Sequence, residues 1–532
     1  MKNHNWKPFD EKLCKKIKDP QKRFEFLQPF VIDEHDRMLF VGCLLQRAAL
    51  LFKDETALLC DDRTISFNEL YHRAVLFSKT LLSLGLQPHD RVLLFVPNSI
   101  EFYIAYFAIL QCGAVVAPLN IFLTTAELEH IVSDAQPTLI ITAKEKKELL
   151  SKVSVPVVIA QEVLELQIFT NEIPIFKVHA LQEDELAVLL YTSGTTGFPK
   201  GVMLSSKNIM TNVIQAISSI PLCKSQRLIG VLPLFHSFAQ NTCVWTSLFA
   251  GCSVIVVPKI DRRSLFKGLE RKPTVFLGVP ALYGLLAMIK NADLDSVHYF
   301  VCGGDALPDK IRTVFELVYR RKLCNGYGLT ETSPLISVDL QDVAGPTNNV
   351  GKPSVGVDCS IRDDQGREVS HGEIGVLWVR GDNIMLGYYN APEKTKEVLQ
   401  DGWLCTGDFA QFDKEGNLLI CGRDKDLIIH KGFNIYPQEI ENVILSHMSV
   451  LYVGVIGVAG ELQGEIPVAY VQLLSGANKE TTTSALLSLC KKNLAAYKIP
   501  RKIIFIDNMP LTSTNKVDKK VLRKQIKKVD GK

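Results

Sequence analysis

The sequence predicts an α/β protein: a large N-terminal domain of mostly parallel sheets covered by helices, then a small α+β domain. Three observations carry this. At 532 residues the chain is too long for one ordinary core. From residue 66 onward, apolar runs alternate with capped helical stretches, as parallel strands and crossover helices do. Near 420–430 that rhythm gives way to charge, Gly and Pro in "GRDKDLIIHKGFNIYPQEIEN". The expected division is 1–424 and 425–532, with a ligand cleft between the two parts.

Residues 1–44 are charged and form an extension without a motif. Ser66 and Glu69 then open a helical stretch that ends near Gly85, and "RVLLFV" (91–96) is a short strand. Residues 102–119, "FYIAYFAILQCGAVVAPL", hold no charge and look like a membrane span. Asn98 with Glu101 makes a capping-box pattern, Gly113 offers a stop, and "AVVAPL" reads as a separate strand closed by Pro118. A buried helix followed by a buried strand is therefore expected. Thr124 and Glu127 cap the next helix, which stops before Pro137, and "TLIIT" follows as a strand. Beyond 430 come "VGVIGV", "PVAYVQLL" and "KIIFI" as strands, with a helix around 483–495.

Composition narrows the function. The chain is 47% apolar and 22% charged, as soluble globular proteins are, and a net charge of +3 argues against a nucleic-acid partner. Residues 516–532 concentrate eight Lys/Arg against two Asp, read as a solvated tail helix, with contact to an acidic partner or membrane surface as the alternative. Thirteen cysteines without a C-x-x-C or a histidine at zinc spacing suit free thiols in a reducing cytosol. The N-terminus lacks an apolar signal core. A cytoplasmic protein without a span is expected, and peripheral membrane contact through the basic tail is compatible with that.

The chemistry begins at "YTSGTTGFPKGVMLS" (191–205). A strand feeding a Gly-rich loop aims backbone N–H groups at a phosphate. The pattern is not G-x-x-x-x-G-K-[ST], because Lys200 stands between Pro199 and Gly201. Four further stretches accompany it: "LPLFHSFAQN" (232–241), "NGYGLTETSP" (325–334), "DGWLCTGDF" (401–409) and "PLTSTNK" (510–516). In this order and spacing the five resemble the adenylate-forming acyl-ligase superfamily, which holds acyl-CoA synthetases, peptide-synthetase adenylation domains and firefly luciferases. The resemblance runs from about residue 45 to about 525.

The resemblance implies roles. Thr192, Ser193, Gly194, Thr195, Thr196, Gly197 and Lys200 would embrace the β- and γ-phosphates of ATP while pyrophosphate leaves. Tyr327 would stack on adenine, Thr330 would bind the α-phosphate, and Glu331 would hold Mg²⁺, a hard cation that takes carboxylate and phosphate oxygens. Gly303, Gly304 and Asp305, in "CGGDA", would run along adenine and substrate. Asp408 would accept both ribose hydroxyls, assisted by Arg423. Lys516 would be catalytic, a cation between the attacking carboxylate and the α-phosphate. Asn515 stands where the family has Gly, and Asn tolerates a left-handed turn. His236 would sit beside the acyl carboxylate, although a histidine in an apolar stretch is otherwise a core residue. Gln240 would line the mouth of the acyl tunnel, and Lys425 would be the hinge about which the small domain swings.

Residues 401–425 and "KGFNIYPQEIE" are of the fatty-acyl-CoA synthetase type, with Cys405 replacing the family's usual His. Peptide-synthetase domains carry an Asp where His236 stands, and luciferases a Lys where Ile429 stands. The resemblance thus implies an ATP- and Mg²⁺-dependent ligase joining a fatty acid to coenzyme A. Acyl carrier protein as the acceptor is the first alternative. A non-catalytic acyl- or nucleotide-binding protein on this fold is the second.

Overall fold

A computed structural model describes the chain except residues 1–6, 33–37, 152, 165–175, 193–198, 260, 290–291, 341–345, 431–432, 461–463, 513–515 and 530–532. Two large sheets dominate it. The first has eight strands, in the order Leu335–Val338, Leu323–Gly328, Tyr299–Cys302, Val275–Gly278, Arg227–Gly230, Ser253–Val256, Thr56–Cys60 and Arg63–Ser66. Every pairing in it is parallel except those of the two edge strands. The second has seven strands, in the order Gly387–Tyr388, Lys200–Ser205, Leu186–Thr192, Val115–Pro118, Arg91–Phe95, Leu139–Thr142 and Val157–Ile159. Only the pairings made by Lys200–Ser205 are antiparallel there.

The segment that mimics a membrane span is a helix, Ile100–Gln111, followed by the strand Val115–Pro118, and every residue but Glu101 is buried. A twelve-residue helix rises only about 18 Å. Among the described residues no helix is long and apolar enough to cross a membrane. The expected capping box is displaced by one residue. Ser99, not Asn98, accepts from the Phe102 N–H, and Glu101 pairs with Arg63 at 2.6 Å. Asn98 is committed elsewhere: its amide donates to the Leu232 and Val257 carbonyls, and its oxygen accepts from Leu234 N–H at 2.8 Å. That residue ties the loop leading to His236 onto the next strand end. Ser66 and Thr124 cap Phe67–Ser83 and Thr125–Ala135 as expected.

A third sheet is antiparallel throughout, with Asp358–Arg362, Gly375–Arg380, Trp403–Phe412 and Leu399–Gln400 in order, and Leu418–Arg423 also paired to Trp403–Phe412. A fourth holds Phe433–Ile435, Ile428–His430, Gly464–Leu473 and Val450–Gly460, with Lys502–Phe505 parallel to Gly464–Leu473. The helix placed at 483–495 runs Lys479–Asn493, because Asn478 accepts from Glu480 and Thr481 N–H and starts it earlier.

Two charged stretches are less solvated than the sequence suggests. In the N-terminal extension, buried Arg23 donates to the Cys14 and Ile17 carbonyls and to Ser218 O. In the basic tail, the helix Lys519–Val529 buries Leu522 and pairs Lys519 with Glu441 and Arg523 with Asp426, each at 2.7 Å. The reading of a freely solvated tail is corrected accordingly for this part of the helix: its apolar side packs on the fourth sheet. All thirteen cysteines are free.

Candidate active site

The first sheet builds half of the site at the carboxyl ends of its parallel strands, where open α/β sheets bind ligands. Tyr299–Cys302 ends at Gly303 and Gly304, Arg227–Gly230 leads to His236, and Leu323–Gly328 leads to Thr330 and Glu331. Gly328 has no substitute here. A Cβ on it would meet the Pro334 carbonyl oxygen at 1.9 Å. Gly304 has φ +81°, and a Cβ on Gly303 would press on Phe238 at 3.3 Å. Ser237 Oγ lies 3.2 Å from Thr330 Oγ1 and joins two of these strand ends.

The third sheet supplies the rest by register. Asp408 and Arg423 are direct cross-strand partners, with Arg423 Nε 3.2 Å from Asp408 Oδ1. The Tyr327 hydroxyl donates to Asp408 Oδ2 at 2.6 Å. Burial, with Asp408 beside it, pushes the Tyr327 phenol well above its ordinary value, so it remains a donor. Asp408 raises the Arg423 guanidinium in turn. Tyrosine, carboxylate and arginine are thus held as one unit.

His236 caps the short helix Ser237–Ala239, its Nδ1 accepting from Phe238 N–H at 3.3 Å. With Nδ1 an acceptor, the neutral ring carries its proton on Nε2. Burial and then the Lys516 charge push its pKa down to about 4, so the neutral form prevails at ordinary pH. The helix continues as a π-helical stretch, Gln240–Thr246. Such turns are rare and concentrate at functional sites. Gln240 is fully buried there, its Oε1 accepting from the Tyr106 hydroxyl, which accepts from Trp245 Nε1, each at 3.0 Å.

Lys516 arrives from the far end of the chain. Burial lowers its pKa, and Asp305 and Asp408 oppose that shift while Arg423 reinforces it. Lys516, His236, Asp305, Asp408 and Arg423 therefore share one electrostatic neighbourhood. Lys425 stands in the single turn Asp424–Asp426 that joins the third sheet to the fourth. Thr192 and Lys200 face each other across the antiparallel hairpin. The loop residues Ser193, Gly194, Thr195, Thr196 and Gly197, and Asn515, lie outside the described residues.

Sequence reasoning missed Tyr388. Its hydroxyl donates to Glu331 Oε1 at 2.9 Å, and its ring lies 4.9 Å from Lys200 Nζ, in cation–π reach. It bridges the residue expected to hold the metal and the lysine expected to hold phosphate. The only signal was a pair of tyrosines in "GYYNAPEK" (387–394), which propensity alone reads as a strand and turn.

Comparison with known proteins gives the family. The family model described as AMP-binding enzyme matches residues 45–389. The chain belongs to the AMP-binding enzyme family. A second model, AMP-binding enzyme C-terminal domain, matches residues 439–516 and so takes in Lys516. A long-chain-fatty-acid–CoA ligase of Yersinia pestis is 32% identical over 96% of this chain and 98% of its own. A feruloyl-CoA synthase of an Amycolatopsis species is also 32% identical, over 90% and 97%. Among solved structures, ATP-bound MatB from Rhodopseudomonas palustris superposes with TM-score 0.84 at 30% identity, covering 92% of this chain and 99% of that one. An O-succinylbenzoate coenzyme A synthetase of Bacillus subtilis, in complex with ATP and magnesium ion, gives 0.81 at 28% identity, covering 91% and 99%.

Proposed function

We propose that this AMP-binding enzyme activates a fatty acid as its acyl-adenylate and passes the acyl group to coenzyme A. The observation that carries this is the meeting of Lys516 with His236, Asp305 and Asp408, a cation set against a prepared nucleotide site. A carboxylate attacking an α-phosphate brings two anions together, and a lysine aimed at that point stabilises the charge that develops. The nucleophile is already ionised, so no general base is needed. Neutral His236 offers its Nε2–H to the acyl carboxylate without adding charge.

Tyr327 and Thr330 take the nucleoside and α-phosphate, and Asp408 with Arg423 takes the ribose. The 192–200 loop with Lys200 holds the leaving pyrophosphate. Glu331 fits Mg²⁺ as a carboxylate whose Oε1 is held by the Tyr388 hydroxyl. A bound magnesium would neutralise phosphate charge. The chain divides at 424/425, and the part beyond turns about Lys425 to admit the thiol. Fatty acid as substrate class follows the relatives' names, and buried Gln240 is assigned to the acyl tunnel. Gln240→Trp tests that by altering the chain-length profile.

The deciding experiment is turnover across a fatty-acid series with coenzyme A and acyl carrier protein as competing acceptors, alongside ATP–pyrophosphate exchange. Exchange that depends on a fatty acid and Mg²⁺, with thioester formed on coenzyme A, is expected. Thioester on carrier protein alone would change the acceptor. No exchange with any fatty acid, from C2 to C20, would leave only acyl or nucleotide binding.

A further inference from the structure

Lys310 lies outside every motif, five residues after Asp305, near the start of the helix Asp309–Tyr319. Its ammonium crosses to the fourth-sheet part of the chain and there donates to three main-chain carbonyls: His447 O at 3.0 Å, and Met448 O and Val450 O at 3.4 Å. These carbonyls follow the end of the helix Pro437–Leu445, the end at which a helix dipole favours a cation. The turn is braced from within, Val450 N–H donating to His447 O and Ser449 N–H to His447 Nδ1. A rigid acceptor cup thus receives one flexible lysine. Burial lowers the Lys310 pKa, as for an ammonium whose partners are neutral carbonyls.

We propose that Lys310 is a positioning residue: it latches the small domain in the orientation that brings Lys516 to His236, and releases it for the thioester step. The inference rests on the two-step reading above, because only a domain that must move needs a reversible latch. Main-chain carbonyls suit that purpose. They hold an ammonium in one orientation, and water satisfies both sides once it opens, so no buried charge is stranded.

The test uses the full chain and two readouts. Deuterium exchange measured on the protein alone reports the contact itself. Lys310→Met should raise uptake in peptides spanning 305–313 and 446–451, and Lys310→Arg should restore it. ATP–pyrophosphate exchange should fall about tenfold in Lys310→Met, the weight of one charge-assisted hydrogen bond, while conversion of supplied acyl-adenylate to thioester holds or quickens. Uptake and exchange both unchanged would overturn the latch. So would equal loss of both half-reactions with a lowered Tm, which marks a merely structural residue. If uptake rises but the wild-type protein shows no fatty-acid-dependent exchange, the Lys310 contact stands, and the functional reading fails and takes the latch role with it.

Discussion

The two parts of the site are built in opposite ways. The large domain prepares its half: Tyr327, Asp408 and Arg423 are bonded to one another, Ser237 meets Thr330, and Tyr388 holds Glu331. Glycines fix the backbone beneath them, Gly328 above all. The small domain contributes one charge at the end of a turn, where Lys516 N–H donates to Thr512 Oγ1 at 3.2 Å and Thr512 N–H to Lys516 O at 2.7 Å. In the proposed mechanism one half binds by pre-organisation and the other acts by being delivered, and mutations should separate the two.

Lys516→Ala should give the largest effect. It removes the delivered charge alone, typically worth ~2.7–4 kcal/mol or about 10²–10³ in rate. ATP–pyrophosphate exchange should collapse, ATP affinity should stay within a few-fold, and supplied acyl-adenylate should still become thioester. Equal loss of both half-reactions would erase the contrast between the halves. Lys425→Pro attacks the later rotation away from that position instead, fixing φ in the turn that joins the two parts. Exchange should persist while thioester synthesis stops, and a mutant that loses exchange first would show that the turn is not the hinge.

What the sequence revealed follows the same division. The parallel sheets were legible because local signals, the caps at Ser66 and Thr124 and the apolar runs between them, agree with the tertiary arrangement. The motif residues at strand ends were read from the family resemblance, and the structure places them after those strands. The all-antiparallel third sheet was not, since its strands pair only through long-range register such as Asp408 opposite Arg423. Ser99 took the cap from Asn98 because Asn98 is needed by distant carbonyls. Tyr388 and Lys310 were missed because each acts on a residue far away in the chain, and neither carries a local pattern.

A smaller effect should appear in the pH profile of adenylation. The working form of Lys516 is charged, and burial lowers its pKa, so activity should fall on the alkaline side before an ordinary lysine would lose its proton. His236 is shifted the same way by burial, but its working form is the neutral one. Its pKa in the folded protein, about 4, is below the ordinary value of 6.5. Its contribution to stability is therefore complete above about 6.5 and is lost as pH falls toward 4. Above about pH 6.5 His236 should not limit the rate, and His236→Ala should flatten the fall of Tm on acidification. A wild-type acid limb near pH 6.5 that vanishes in His236→Ala would mean the ring titrates normally.

The smallest change tests how far pre-organisation extends. Tyr388→Phe removes one hydrogen bond to Glu331 but keeps the ring under Lys200. The loss should be about three- to tenfold in kcat/KM for ATP, the scale of a single net hydrogen bond, and should be seen chiefly as a raised Mg²⁺ requirement. Lys200→Met should then cost as much in the Tyr388→Phe background as in the wild type, because the aromatic face is still present. In Tyr388→Ala the face is gone, and Lys200→Met should cost less, the shortfall being the cation–π coupling. If the Lys200 effect is the same in all three backgrounds, the ring and the lysine are neighbours without coupling, and Tyr388 serves Glu331 alone.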